Sequence, residues 1–375
     1  MKLDDRAWKP VLISDLFTLI RGRENNMATL DNGNTPLISA KRINNGLKGF
    51  VATPKRIIPG NCITLNNDGD GGAGLAYYQP ADMALDTHVT ALIPKKKMSM
   101  QTMLFISGCL SKLHGFFGHG LSISNPRAEK IRIMLPVTDK GEPDYQFMED
   151  YVRDLMVLKR NQYHDFIITR MKSLGLDVTD GGGYGKTLKQ CEIVRIASLQ
   201  SCRWKPFPIA ILFERLEAGK GKGLNHLEQT EHGVSYIGAT NRNNGVLCHV
   251  KENDMSRKLL QKGNCIGFIK NGDGSAGYAI YKQEPFVSTS DVIYGYANWL
   301  NRYTGLFFVA AQDMISPKYS HGHKRNAQHL KGDSVMLPAA DNGEPDFDFM
   351  ENYSKRMMFD KYKQYLAYIS SLPQT

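Results

Sequence analysis

Gly60-Asn61-Cys62-Ile63, followed by Gly69-Asp70-Gly71-Gly72-Ala73-Gly74, returns 203 residues later as Gly263-Asn264-Cys265-Ile266 and Gly272-Asp273-Gly274-Ser275-Ala276-Gly277. The correspondence extends in both directions. Trp8-Lys9-Pro10 matches Trp204-Lys205-Pro206, and Asn44-Asn45-Gly46 matches Asn243-Asn244-Gly245. Gly141-Glu142-Pro143-Asp144 with Phe147-Met148-Glu149 matches Gly343-Glu344-Pro345-Asp346 with Phe349-Met350-Glu351. The offset drifts only from 196 to 203, so the copies are collinear. Solenoid repeats are about 20–50 residues long; a period this long makes each copy a whole domain. The 375 residues then divide into a first domain at 1–144, a helix at 145–174, a linker at 175–203, a second domain at 204–346 and a second helix at 347–372.

Short apolar runs such as Cys62-Ile63-Thr64-Leu65, closed off by Gly, Asn and Asp, read as strands and turns through most of each copy. Asn45-Gly46 and Asn244-Gly245 are hairpin signals, since a type I′ turn wants positive φ at both central residues. The ends differ. No Pro or Gly interrupts 145–173, where Met148, Val152, Leu155, Met156, Tyr163, Phe166, Ile167 and Met171 form an apolar stripe at helical spacing. Met350, Tyr353, Met357, Met358, Tyr365, Leu366 and Ile369 repeat it before Pro373. The expected class is α+β: two tandem β-rich domains, each followed by one long helix. A helix of about 27 residues would span about 40 Å, longer than one small domain needs, so the two stripes are expected to pair with each other as a spacer.

Several function classes fall away. No run of apolar residues approaches the length of a membrane span, the first residues lack a secretory apolar core, and six cysteines without a C-x-x-C pair fit neither zinc nor a disulfide scaffold. A cytoplasmic chain with mostly buried free thiols is expected. G-x-G-x-x-G occurs twice, yet strand-like Leu75-Ala76-Tyr77-Tyr78 and Tyr278-Ala279-Ile280-Tyr281 follow where a dinucleotide site needs a helix, so both read as glycine-rich hairpins. Pro143-Asp144 and Pro345-Asp346 have no acidic-x-Lys strand after them and read as helix caps rather than nuclease residues. Metal-spaced histidines, a nucleophile elbow and a phosphate loop are all missing, so no catalytic residue and no metal ligand is expected.

Lys and Arg number 47 against 37 Asp and Glu, a formal charge of +10, which favours a polyanionic partner. The basic residues cluster. Lys318, Tyr319, His321, His323, Lys324 and Arg325 fall within eight positions, and copy one has Lys112, His114 and His119 at the matching place. Arg21-Gly22-Arg23 and Lys220-Gly221-Lys222 lie near the start of each copy. Lys41, Arg42 and Asn45, with Arg242 and Asn244, flank the Asn-Gly turns. Lys and Arg hold phosphates, Arg reads guanine and Asn reads adenine, so these residues are the candidate contacts to double-stranded DNA. Arg325 is expected to contact a base of the second half-site.

The ordered set (Trp-Lys-Pro, Ile38-Ser39-Ala40, Asn-Asn-Gly, Gly-Asn-Cys-Ile, the glycine hairpin, Lys-Tyr-Ser-x-Gly-x-Lys-Arg, Gly-Glu-Pro-Asp, Phe-Met-Glu-x-Tyr) resembles the target-recognition domains of Type I restriction–modification specificity subunits, particularly the Type IIB form. The resemblance implies a non-catalytic DNA-recognition subunit. Each domain would read half of a split target, and the helices would pair antiparallel and dock two adenine methyltransferase or combined restriction–methyltransferase subunits. S-adenosylmethionine, magnesium and, in Type I systems, ATP would belong to those partners. A separation of about 40 Å would put the half-sites about 12 base pairs apart. Copy one is less basic at 113–119, which implies an asymmetric target. The alternative is a free-standing DNA-binding regulator without enzyme partners.

Overall fold

The computed structural model describes residues 1–25, 30–69, 72–117, 121–173, 198–221, 223–272, 274–320 and 322–371. The sequence-predicted positions His119, Lys222 and His321, the hairpin residues Asp70, Gly71 and Asp273, and residues 174–197, which hold most of the expected linker 175–203, lie outside the described residues. The chain divides into two units, Met1–Asp165 and Phe166–Thr375.

In the first unit the strands are β1 (Ala7–Leu12), β2 (Phe17–Arg21), β3 (Asn32–Ile38), β4 (Leu47–Val51), β5 (Cys62–Asn66), β6 (Ala76–Gln79), β7 (Ala84–Leu85), β8 (Val89–Pro94) and β9 (Arg132–Val137). They form a four-stranded antiparallel sheet ordered β2-β8-β5-β6, a three-stranded sheet β4-β3-β7 and the pair β1-β9. All five residues of β5 are buried because both faces are covered. Ile63 and Leu65 point into a core with Phe17, Leu92, Met103, Ile106 and Leu135, while Cys62 joins Ile38, Ile58, Met83 and Val89 on the other side. That is the two-residue alternation of a strand between two layers.

The second unit repeats this with β10 (Trp204–Pro208), β11 (Arg215–Ala218), β12 (Gln229–Thr230), β13 (Val234–Ile237), β14 (Val246–Val250), β15 (Cys265–Ile269), β16 (Ala279–Lys282), β17 (Val287–Ser288), β18 (Val292–Tyr296) and β19 (Ser334–Pro338). Its sheets are ordered β11-β18-β15-β16, β12-β14-β13-β17 and β10-β19. Ile266 and Phe268 face Phe213, Phe308 and Leu337, and Cys265 faces Phe286 and Tyr294, as their counterparts do in the first unit.

The expectation of strands and turns throughout each copy is corrected by several helices, including the short ones Ile13–Leu16, Asn125–Ala128, Ile209–Leu212, Asp254–Leu259 and Ala327–Gly332. Helices α1 (Met100–Ser111) and α3 (Arg302–Asp313) pack on the sheets. Buried Met103, Phe105, Ile106 and Leu110 give α1 the look of a buried strand, so periodicity alone could not separate the two. The usable signals were the caps. Ser99 Oγ accepts from Thr102 N at 3.2 Å, and Asn301 with Thr304 forms a capping box. The hairpins β3–β4 and β13–β14 do turn through positive φ at Asn44, Asn45 and Gly46 and at Asn243, Asn244 and Gly245. Their loops are longer than a two-residue turn, running from 39 to 46 and from 238 to 245.

The long helices are α2 (Tyr145–Ser173) and α4 (Phe347–Ser371). Asp144 Oδ1 accepts from Phe147 N at 3.0 Å and Asp346 Oδ1 from Phe349 N at 2.8 Å. Both Pro-Asp sites therefore cap helices, where a carboxylate also meets the positive end of the helix dipole. The indole of Trp8 stacks on Phe105 of α1 at 6.0 Å, and Trp204 on Phe307 of α3 at 6.3 Å, so each Trp-Lys-Pro strand is clamped to its helix.

Candidate nucleic-acid interface

In each unit the glycine hairpin is the hub of one loop cluster. In the first unit it joins β5 to β6 and touches the Asn-Asn-Gly loop, where Asn66 Nδ2 and Tyr77 OH both donate to Lys41 O at 3.2 Å. Asn45 Nδ2 donates to Tyr78 O at 2.8 Å, so this side chain holds its own turn against β6. His114 Nδ1 lies 3.0 Å from Ala73 O, bringing the 112–117 loop onto the hairpin. Asp68 pairs with His88 at 2.7 Å, and Arg21 Nε donates to Thr87 O at 2.8 Å, which adds the 21–23 segment through the 86–88 turn. Arg21, Arg23, Arg42 and Lys112 are exposed on this cluster, while Lys41 and His114 are half-buried.

The second unit has the same construction. Ser275 Oγ donates to Asn241 Oδ1 at 3.1 Å, and Asn244 Nδ2 donates to Tyr281 O at 2.9 Å. Arg325 N donates to Lys270 O at 3.0 Å, seating the basic loop beside the hairpin, and Gln312 Nε2 of α3 donates to Gly277 O at 3.0 Å. Arg242, Lys318, His323 and Lys324 are exposed. The rings of Tyr319, His323 and His329 form a triangular cluster, with His323 5.5 Å from Tyr319 and 5.2 Å from His329, and the other two 6.5 Å apart.

Arg325 is the main correction to the sequence expectation. Its side chain is 1% exposed and faces inward. Nε donates to Asp333 Oδ2 at 2.9 Å, and Nη1 donates to Gln312 Oε1 at 2.5 Å and to Gly277 O at 3.1 Å. The guanidinium also lies 5.2 Å from the Phe268 ring. Tyr319 is likewise buried, with its hydroxyl donating to both oxygens of Asp333 at 2.9 and 2.8 Å. Lys318 Nζ reaches the same carboxylate at 2.8 Å from the outside. Burial pushes the Tyr319 phenol up to about 12, helped by the Asp333 carboxylate it bonds. Arg325 and Tyr319 therefore shape the loop from beneath, which leaves Lys318, His323 and Lys324 as its outer charged or titratable groups among the described residues.

The two basic triplets near the start of each copy, Arg21-Gly22-Arg23 and Lys220-Gly221-Lys222, are not in register. Gly22 N donates to Val89 O and Gly219 N to Val292 O, both at 2.9 Å, so Gly219 rather than Gly221 is the counterpart of Gly22. A Cβ at Gly22 would lie 2.0 Å from Asp86 O, and one at Gly219 1.9 Å from Thr289 O, so only glycine fits. Lys220 then takes the place of Arg23, and the second unit has Ala218 where the first has Arg21. The first unit also holds a residue the sequence reading missed. Arg56, from a separate segment, lines an open cleft of about 550 Å³ with Arg21 and Arg23. It directly follows Lys55 in sequence, far from Arg21 and Arg23, so only the fold brings it to the others.

The helical stripes divide. Met148 and Val152 of α2 enter the first unit's core, and Met350 and Tyr353 of α4 pack on the second. Thus the first turns of each helix do serve their own domain, against the expectation that the whole stripe is free for pairing. Leu155, Met156, Tyr163 and Phe166 are 41%, 39%, 44% and 41% exposed. Within the second unit Ile167 and Met171, both fully buried, form a cluster with Phe359, Tyr362, Tyr365 and Leu366. Met357 is exposed, Met358 half-buried and Ile369 buried. Met357, Met358, Tyr353 and Trp204 line an apolar groove of about 440 Å³ with α3.

No group of three or more His, Cys, Asp or Glu suited to a metal occurs among the described residues, and no helix there is long and apolar enough to cross a membrane. A curated relative, the "Type II restriction enzyme BgcI specificity subunit S.BcgI" of Heyndrickxia coagulans, is 27% identical over 356 residues, spanning 92% of this chain and 93% of that protein. Among solved structures, the S subunit of a Type I restriction–modification system from M. genitalium aligns with 99% of this chain and 95% of its own at 14% identity and a TM-score of 0.48. The HsdS subunit from Thermoanaerobacter tengcongensis aligns with 98% and 92% at 10% identity and a TM-score of 0.30. The model of the Type I restriction modification DNA specificity domain matches residues 5–163 and again 203–364. The chain belongs to that restriction–modification specificity family and carries its domain twice.

Proposed function

We propose that this chain is the DNA-recognition subunit of a restriction–modification system and reads a bipartite, asymmetric target, one half-site per unit. One observation carries the reading. The same loop cluster is built twice on a glycine hairpin, with different outward side chains on an equivalent frame. Arg42, Lys112 and His114 stand on the first cluster, and Arg242, His323 and Lys324 on the second. A common frame with unlike side chains suits two unlike sequences, since phosphate contacts position and base-edge contacts specify.

In this reading the outer parts of α2 and α4 pair as a spacer and dock two methyltransferase or restriction–methyltransferase subunits, which carry S-adenosylmethionine and magnesium. The cluster of Ile167 and Met171 with Phe359 and Leu366 supports the pairing, because it sits beyond the turns each helix gives to its own domain. The exposed Leu155 and Met156 support the docking. The complex would act on DNA in the cytoplasm.

The deciding experiment is a single-molecule methylome of cells expressing the chain with its neighbouring methyltransferase, against cells lacking only this chain. A split adenine-methylation motif that disappears with the chain is the expected result. An unchanged methylome with an active methyltransferase would favour a free-standing DNA-binding regulator instead.

A further inference from the structure

We infer that the Arg21–Arg23–Arg56 cleft clamps the DNA sugar–phosphate backbone at the first half-site, and that buried Glu24 positions it. The inference rests on the reading of this chain as a DNA-recognition subunit and adds to it a site with no counterpart among the described residues of the second unit. The three arginines come from two segments, the end of β2 with its continuation and the stretch before Ile58, and they line one open cleft of about 550 Å³. Its wall is apolar, with Ile57 48% exposed, so a deoxyribose can lie against the wall while the guanidinium groups meet phosphate oxygens. Planar guanidinium forks suit a phosphate, and a sequence-independent contact needs no base-edge geometry.

The cleft is built rather than incidental. Glu24 is fully buried, and its Oε1 accepts from Lys55 N at 2.6 Å. Its own N donates to Leu85 O at 2.9 Å and its O accepts from Thr87 N at 3.0 Å. One carboxylate thus fastens the segment carrying Arg56 to the 85–87 turn, and that turn holds Arg21 through Thr87 O. The cleft connects to the recognition loops, because Asn67 N donates to His88 O at 2.9 Å. In the second unit the bridge Gln261–Phe286 takes the place of Ile58–Met83, which puts Leu259 where the first unit has Arg56. Lys220, in the place of Arg23, turns its Nζ to Leu260 O at 2.8 Å. The clamp belongs to one half-site.

The test measures binding of the full-length chain to a duplex carrying its methylation motif and to a scrambled duplex, each from 50 to 200 mM KCl. For Arg56→Gln, the slope of log affinity against log salt should fall by about 0.9, one phosphate contact. The wild-type to variant affinity ratio then shrinks about 3.5-fold across that range, equally on both duplexes. Arg56→Lys should keep the slope, because it keeps the charge. Glu24→Ala should lose it as Arg56→Gln does, while Glu24→Gln, which keeps an acceptor for Lys55 N, should retain it. Melting curves establish that each variant is folded, and Lys140→Gln, on the 138–142 turn, is the control for removing one exposed charge. An unchanged slope in folded Arg56→Gln overturns the clamp, and so does a loss confined to the motif duplex. A wild-type chain that binds both duplexes alike instead overturns the recognition reading itself.

Discussion

Arg325 and Asp333 form an ion pair in which both side chains are 1% exposed, with Nη2 2.8 Å from Oδ2. Two charges taken out of water are held only because each is paired and hydrogen-bonded, and removing one leaves the other buried and uncompensated. Arg325→Ala and Asp333→Ala should each destabilise the second unit by about 3–5 kcal/mol, and the double variant by less than the sum. Denaturant unfolding of the four proteins of this cycle checks it. Near-wild-type stability of Arg325→Ala would return that residue to the DNA-facing set.

The same carboxylate sets an acid dependence. Burial alone would raise the Asp333 carboxyl, but hydrogen bonds from Lys318 and Tyr319 and the Arg325 charge outweigh it and hold the group below its usual range. A carboxylate lowered by folding contributes stability that is complete above the unfolded value of about 3.9 and fades as pH falls through the folded one. Stability of the second unit should therefore decline as pH drops below about 4, and Asp333→Asn should flatten part of that decline. Melting temperatures from pH 6 to pH 2 would show it. An acid limb unaltered by the substitution would remove Asp333 from its causes.

The exposed cations divide by role. Arg42→Ala and Arg242→Ala, on the two Asn-Asn-Gly loops, should each cost about 1–3 kcal/mol of specific binding and relax one position of one half-site. Lys324→Ala should weaken binding evenly across sequences. Competition binding against a library of single-base variants of the motif distinguishes these patterns.

Along α2, replacing both Leu155 and Met156 with Asp should abolish capture of the methyltransferase while leaving the melting of both domains near wild type, since these side chains are 41% and 39% exposed. Ile167→Asp should lower stability by several kcal/mol, because it puts a charge into a fully buried apolar cluster. Co-purification and calorimetry read the two effects separately. Partner capture that survives the first substitution would place docking elsewhere.

Thiol chemistry should be quiet. Burial pushes the Cys62 and Cys265 thiols up to about 12 and Cys109 up to about 11. Almost no thiolate forms at neutral pH, so iodoacetamide should leave these three unmodified in the folded chain and label them in denaturant. Mass spectrometry after brief labelling at pH 7.5 gives the answer.

The repeat, the two long helices and their Asp caps were legible because each is written in local periodicity or in a motif copied along the chain. Helix α1 was hidden by its own burial, since a helix apolar on most sides shows no stripe. Helix α3 does have a buried face, but Thr304, Gly305 and Gln312 on it are not apolar, which breaks the stripe. Arg56 was hidden for a different reason. A Lys-Arg pair outside the repeated motifs gives no sign of its partners, and Arg56 joins Arg21 and Arg23 through tertiary contacts: Glu24 accepts from Lys55 N across 31 positions, and Ile58 bridges to Met83.

By itself the sequence determined that two homologous β-rich domains with long helices exist, and that their loops are basic. It could not determine which basic residues face solvent. Eight positions separate Arg325 from Asp333, and Gly277 O, which also receives its guanidinium, is 48 positions away. The tertiary structure alone decided that Arg325 turns inward while Lys324 beside it stays out. A charged side chain enters the interior only where partners converge to satisfy it, and convergence of distant segments is a property of the packed fold.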